Sequence, residues 1–355
     1  MCSDLDPAMP VPAPVPHGGN LGEAARRYRI AREHWLDLST GINPNGYPVP
    51  PIDPHAWLRL PDDDDDLEAV AAAHYGAARA LAVAGSQAAI RLLPAMLPKG
   101  RVGVGLLTYG EYAPAFERAG FAVDRFVTRP LADAGGAASF VLEPGCALPA
   151  DLTHLVLVNP NNPGTERFMP DALMDWHAQL AARGGTLVID EAFAEALPEL
   201  SVATFAHRDG LIVLRSIGKF FGLAGARVGF VLAGERAQRA MRALAGPWTV
   251  AGPARIATRA ALLDTDWQAR TRAGLVAAGD RLAQLLAAHF PTVQHTPLFA
   301  WARDPRAPWW QDALARHGIW TRRFDVVPGL RFGLPADEAQ WARLAAALDA
   351  VGRQE

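Results

Sequence analysis

Lys219 lies in RSIGKFFGLAGARVG (215–229), behind an apolar run and among glycines and small residues, with Ser216 three positions before it and Arg227 eight positions after. Desolvation and a nearby cation weaken a lysine's preference for its charged form, and a neutral amine can form an imine with an aldehyde. Arg227 offers a planar guanidinium that can meet two phosphate oxygens at once, with the Ser216 hydroxyl as a further donor. Taken alone, Lys219 and Arg227 also suit a solvated surface pair.

Three other stretches carry groups of the same kind. Gly85-Ser86-Gln87 follows an apolar run and precedes AAIRLL, so it is either an ordinary helix N-cap or a cup of N–H groups and a hydroxyl for an anion. Asn159-Pro160-Asn161-Asn162-Pro163-Gly164 is either a plain turn or a way to hold a short polar side chain in a cleft at little entropic cost. Asp190-Glu191-Ala192-Phe193 ends the apolar run TLVI, which places Asp190 near a sheet edge, partly shielded. A shielded carboxylate needs a partner, and a protonated heterocyclic nitrogen, an arginine or a helix terminus would each serve.

These groups need strands to carry them. Residues 80–85, 101–107, 121–127, 153–159, 185–193, 210–216 and 226–234 are the candidate strands, several too continuously apolar for a sheet exposed on one face. They predict an α/β fold with a mostly parallel sheet covered by helices on both sides and a ligand site at the carboxyl ends of the strands. Beyond about residue 240, helical patterns and a strand around LRFGLP predict a smaller helix-and-sheet lobe. The expected division is an N-terminal segment 1–50 contributing to the small domain and the substrate pocket, a large domain 51–240 and a small domain 241–355. The Asn-, Gly- and Pro-rich residues 41–54 predict an ordered extended loop or a surface connector, and the five aspartates 62–66 predict helix capping and solvated surface.

Composition narrows the function. A formal charge of −3 from 34 basic and 37 acidic side chains gives no broad attraction for nucleic acid and favours a small anion held by local arginines. With only Cys2 and Cys146 there is neither a disulfide framework nor a thiolate metal cluster, which agrees with a cytoplasmic setting. Residues 1–16 read as a loose tail rather than a signal peptide, and no run is long and apolar enough for a membrane span. His74, His177, His207 and His317 show no metal-ligand spacing, so no metal is assigned, and Trp301, Trp309 and Trp310 are read as packing residues.

The ordered set of NPNNP, DEAF and SxxK followed by GLAGARVG resembles the fold-type I pyridoxal-phosphate enzymes of the aspartate aminotransferase superfamily. Within it the chain is most similar to the branch that contains histidinol-phosphate aminotransferase and L-threonine-O-3-phosphate decarboxylase of cobalamin biosynthesis. The resemblance implies pyridoxal 5′-phosphate as cofactor, with Lys219 joined to its aldehyde and Asp190 paired with its ring nitrogen. It further implies Asn162 at the ring oxygen, Tyr109 on the ring face, and Gly85, Ser86, Gln87, Ser216 and Arg227 around the phosphate. For a phosphorylated amino acid substrate it implies Arg331 on the carboxylate, with His17, Asn20, Asn43 and, of the pair Arg322 and Arg323, Arg323 as further contacts. It also implies a homodimer with active sites near the subunit interface.

The opening HGGN and LDLSTGINPNGYP resemble the decarboxylase side of the branch, which implies L-threonine O-3-phosphate going to CO2 and (R)-1-amino-2-propanol O-2-phosphate. The alternatives are a histidinol-phosphate-like aminotransferase and a ligand-binding or regulatory module of the same fold. Three departures matter: Gly164-Thr165 in place of the usual Thr-Gly, Phe193 in place of a tyrosine that reaches the ring oxygen, and Leu60 where relatives have a tyrosine directed at the partner's cofactor.

Overall fold

The computed structural model describes residue 15 and residues 17–128 and 138–353; the tail reading for residues 1–14 and 16, and Cys2 with it, lies outside them. Fourteen strands are present in the described residues: β1 Leu36–Asp37, β2 Leu81–Val83, β3 Arg101–Gly105, β4 Ala122–Val127, β5 Phe140–Val141, β6 Leu152–Val158, β7 Thr186–Asp190, β8 Leu211–Ser216, β9 Gly229–Ala233, β10 Thr292–Thr296, β11 Phe299–Arg303, β12 Ile319–Trp320, β13 Arg322–Phe324 and β14 Gly329–Gly333. The α-helices are α1 Leu21–Tyr28, α2 Leu67–Tyr75, α3 Ser86–Met96, α4 Tyr112–Arg118, α5 Pro170–Ala181, α6 Glu235–Ala245, α7 Gly252–Leu263, α8 Thr265–Ala287, α9 Ala307–Arg316 and α10 Glu338–Gly352.

Strands β2 to β9 form one eight-stranded sheet in the order β2-β9-β8-β7-β6-β3-β4-β5. Every residue of β7 and β9 is buried, as a strand covered by helices on both faces requires. The pairs from β8 through β5 are parallel, and β9 alone runs against its neighbours. Between β6 and β3 the chain order reverses, so the loops that leave β3 and β6 part and open a crevice at the carboxyl edge. The expected strand 185–193 stops at Asp190, where a short 3-10 turn over Ala194–Ala196 follows.

The second lobe is an antiparallel sheet, β10-β11-β14-β13, against which α8 and α9 pack, with α10 against α9. β1 pairs in parallel with β12, Leu36 opposite Ile319, so the segment before residue 40 is carried by the C-terminal part of the chain. The loop 41–47 instead grips the lysine segment. Asn43 N–H donates to the Lys219 carbonyl at 3.0 Å, Tyr47 N–H donates to that of Phe221 at 2.8 Å, and Gly222, at φ +69°, passes so close that a Cβ would lie 2.5 Å from Gly46 Cα. Trp301 and Trp310 are core residues, as expected, whereas Trp309 is 38% exposed.

Sequence reasoning misjudged the aspartates. Asp65 and Asp63 form ion pairs with the buried Arg255 of α7, and Asp66 meets Arg259, so the run moors the start of α2 to α7; Asp65 also accepts the Leu67 N–H at 3.0 Å, while Asp66 at the N-cap makes no side-chain capping bond among the described residues. A second ionic cluster lies wholly inside: Arg215 donates to Glu191 and to Glu195 at 2.6 Å each, and His74 reaches Glu195 at 2.8 Å. Burial alone would raise the Glu195 carboxyl, but Arg215 and His74 overcome it and hold the group at about 2. Removing one member strands the others uncompensated. Arg215→Ala is therefore expected to cost about 3–5 kcal/mol of folding stability. Arg259→Ala, which breaks an exposed pair, should cost at most about 1 kcal/mol. Urea unfolding midpoints of the two variants check the contrast.

Among the described residues no helix is long and apolar enough to cross a membrane.

Candidate active site

At the carboxyl edge, four loops bring their polar side chains together. Asp190 ends β7 with 3% exposure; its carboxylate accepts the Tyr112 hydroxyl at 2.8 Å and the Ala192 N–H at 3.0 Å. Burial pushes its carboxyl upward, against the two hydrogen bonds and the Lys219 charge. No cation stands within ion-pair distance of it among the described residues, which leaves this buried acid suited to a protonated ring nitrogen.

Lys219 sits in the loop after β8, its Nζ 5.5 Å from the centroid of Phe193. Burial, and then the Arg331 and Arg227 charges, lower the amine to about 8, with Asp190 opposing them. At pH 7 roughly a tenth of such an amine is neutral, several hundredfold more than for an ordinary lysine. The rate at which the apoprotein attaches an aldehyde at Lys219 is thus expected to rise with pH and level off above about 8. Stopped-flow absorbance across pH 6 to 11 measures it, and a rise continuing to the ordinary lysine range would contradict the geometry.

The cup forms where α3 begins. Gly85 adopts φ +75°, and a Cβ on it would stand 2.9 Å from an Arg227 guanidinium nitrogen. Gly229 lies under the first turn, its missing Cβ 2.6 Å from Ser86 N, and is paired with Ser216 across β8 and β9. Gly85, Ser86, Ser216 and Arg227 thus surround one helix amino terminus, a place that favours negative charge. Gln87 receives the Tyr109 hydroxyl at 2.9 Å. Tyr109 follows β3, and burial, then Glu111, push its hydroxyl up to about 12.

On the other side, Arg331 of β14 is buried; it donates to Asn162 Oδ1 and to the Ser39 carbonyl, each at 2.5 Å, while its Nε has no partner among the described residues. Burial, then Arg322, lower its guanidinium to about 9. Asn162 keeps its amide N–H groups for a ligand, since only its oxygen is engaged.

Three expected substrate contacts are placed differently. Asn20 is exposed and caps α1 through Glu23 N–H. Asn43 spends its side chain on the Phe220 carbonyl and Asn45 N–H, so it braces the lysine loop. Arg323 lies opposite Leu330, on the face away from Arg331, and pairs with Asp325 at 2.8 Å. The arginine directly opposite Arg331 is Arg322, and pleating puts directly opposed residues on one face. Its guanidinium, desolvated, feels both Asp325 and Tyr109. His17 does reach the site, its ring 5.9 Å from that of Tyr109. Tyr112, Glu111 and Ser39 complete the arrangement, and nothing in their local sequence marked them.

The set fits pyridoxal phosphate: a buried acid with no cation, an anion cup with a guanidinium, an aromatic beside it and an amine of lowered basicity. The comparisons agree. The family model for aminotransferase class I and II matches residues 55–348. The threonine-phosphate decarboxylase of Pseudomonas aeruginosa is 49% identical over 333 residues, covering 94% of this chain and 96% of that protein. That of a Sinorhizobium species is 43% identical over 356 residues, covering 97% and 99%. The crystal structure of histidinol-phosphate aminotransferase from Sinorhizobium meliloti in complex with pyridoxal-5′-phosphate superposes with a TM-score of 0.73 at 21% identity, over 99% of this chain and 98% of that one. A match across most of the chain, on a fold that gathers these side chains at one sheet edge, establishes that the protein belongs to the class I and II aminotransferase family.

Proposed function

We propose that this protein is a pyridoxal-phosphate-dependent decarboxylase that converts L-threonine O-3-phosphate to CO2 and (R)-1-amino-2-propanol O-2-phosphate, a step of cobalamin biosynthesis. The observation that carries the reading is the likeness, over nearly the whole of both chains, to the two decarboxylases of that name. The geometry agrees with it: Arg331 and Arg322 share one face, and two guanidinium groups suit a substrate with a carboxylate and a phosphate.

Bound at this site, the cofactor supplies an electron sink for the pair left on Cα when CO2 departs. The chain supplies the rest. Asp190 stabilises the proton on the ring nitrogen, Asn162 donates to the ring oxygen, Tyr109 covers the ring face, and Gly85, Ser86, Gln87, Ser216 and Arg227 hold the phosphate. Phe193 gives Lys219 an apolar wall where relatives have a hydroxyl, so Asn162 is the donor left for that oxygen. Lys219, neutral in part near pH 8, holds or delivers the proton at Cα. The placing of carboxylate and phosphate on Arg331 and Arg322 would decide which bond at Cα is presented for cleavage, and so select between loss of CO2 and loss of a proton.

Single-turnover analysis tests the reading: CO2 release with the cofactor recovered as its aldehyde supports it, whereas pyridoxamine phosphate plus a keto product identifies an aminotransferase. Arg322→Gln is expected to raise KM for the phosphorylated substrate about 10- to 100-fold. Arg323→Gln should change it less than about twofold. Both are read from initial rates of CO2 release.

The active unit is a homodimer. Trp57, Leu58, Leu60 and Trp248 are between 53% and 78% exposed. Trp248 N–H bonds to Asp63, and Gly252 lies against the Ala56 carbonyl, which brings residues 55–60 and 248–252 side by side as one apolar surface. An exposed apolar surface of this kind, which a second copy would cover, supports the reading.

A further inference from the structure

Glu111 is a buried acid of the site to which no role has yet fallen. It follows β3, with its side chain 8% exposed. Its two oxygens are divided: Oε2 accepts Gln87 Nε2 at 2.7 Å, and Oε1 lies 2.7 Å from His17 Nε2, which donates to an ionised carboxylate. Gln87 in turn accepts the Tyr109 hydroxyl at 2.9 Å. An amide has a nitrogen end and an oxygen end, and with Glu111 on one side and the Tyr109 hydroxyl on the other, only one orientation of Gln87 satisfies both. Without Glu111 that orientation is no longer fixed, because a phenol accepts as readily as it donates.

The segment that begins at His17 continues to the opposite side of the site. Gly19 N–H donates to Ser39 Oγ at 2.7 Å, and Gly18 packs so tightly that a Cβ would stand 2.2 Å from the Ser39 carbonyl oxygen. That oxygen is the acceptor for Arg331. Residues 17–19 therefore run from the tyrosine loop of the large sheet to the end of β1, where the arginine of β14 is held.

We propose that Glu111 is a positioning residue for both ends of the site, fixing Gln87 and Tyr109 beside the anion cup and fastening residues 17–19, through which Ser39 and Arg331 are aligned. The proposal rests on the reading of Gln87 and Tyr109 as cofactor contacts. Glu111 touches neither cofactor nor substrate in it; it acts through Gln87 and His17, with the exposed Arg91 of α3 a looser ion partner at 3.9 Å from Oε2.

Absorbance titration of the apoprotein with pyridoxal phosphate, beside KM and kcat for threonine phosphate, tests the proposal on Glu111→Ala, Glu111→Gln, His17→Ala, Gln87→Ala and the double variant His17→Ala/Glu111→Ala. Glu111→Ala is expected to weaken cofactor binding about tenfold and to raise KM by a similar factor. His17→Ala should raise KM alone, and adding it to Glu111→Ala should raise KM no further, since both act through one contact. Glu111→Gln should recover most of the cofactor affinity, because the oxygen of the new amide can still accept Gln87 Nε2 and so keeps Gln87 in its parent orientation. Additive KM effects, or cofactor affinity unchanged in a folded Glu111→Ala, would overturn the proposal. If Gln87→Ala leaves cofactor affinity unchanged, the reading beneath fails and takes the role of Glu111 with it. If Gln87→Ala weakens binding but Glu111→Ala does not, the role of Glu111 alone fails. Should Glu111→Ala not fold, the cycle of His17→Ala with Glu111→Gln decides by the same KM coupling.

Discussion

Replacing Lys219 by alanine is expected to lower CO2 release from threonine phosphate by about 10⁴-fold or more. On the proposed mechanism two losses would combine: the amine that joins the cofactor aldehyde, and the group that handles the proton at Cα. The structure sharpens what the loss should look like. The amine titrates near 8 because burial and Arg331 disfavour its charge, so removing it also removes a cation 5.5 Å from the Phe193 ring. The folded protein should tolerate that well. Circular dichroism should be unchanged, cofactor should still bind through the cup, and the absorbance of the lysine-linked form should be absent. A variant with more than about a hundredth of the parent activity would remove Lys219 from the centre of the chemistry.

Asp190→Asn should have the next largest effect, a fall of about 10²- to 10³-fold in kcat. The substitution keeps the shape; its Oδ1 can accept the Ala192 N–H and its Nδ2 can donate to the Tyr112 hydroxyl oxygen, reversing that bond, which largely separates charge from packing. A neutral amide does not hold a proton on the ring nitrogen, and the electron sink weakens accordingly. Stability should move the other way, or hardly at all. Burial already disfavours the ionised carboxyl, whose pKa is raised; a carboxyl raised on folding costs stability at pH values above its unfolded pKa, and the amide carries no such cost. Lower kcat with an unchanged or higher urea midpoint is the expected signature; equal losses in both would assign Asp190 to the core.

The sheet was legible because its evidence is local. Runs such as LTHLVLV and TLVID are apolar on both faces, and a small or polar residue at the end of each marks the edge where a ligand can approach. For the same reason Lys219, Asp190, Asn162 and Gly85 could be picked out: each stands next to the end of an apolar run. What was not legible depends on pairing across long separations. The choice between Arg322 and Arg323 is one of pleat parity, and a single step of register against β14 reverses it. Asp63, Asp65 and Asp66 read as solvated surface because their arginines lie about 190 residues away, on α7. Tyr112 reads as one more aromatic at a helix start; only the folded chain shows its hydroxyl against Asp190.

The arginines that line the seat have a cost of their own. Arg331 is depressed by burial and by Arg322 beside it, and Lys219 is depressed in turn by Arg331, so before the cofactor takes up the Lys219 amine three basic groups lie close together in a largely buried volume. An empty seat of this kind works against itself, and a guest is welcome in proportion to the negative charge it brings. Unphosphorylated threonine, with its single carboxylate, would leave much of that mutual repulsion in place. On the proposed function, a preference for the phosphate ester would follow from the charge of the site, before any contact with the methyl group or the chiral centre is made.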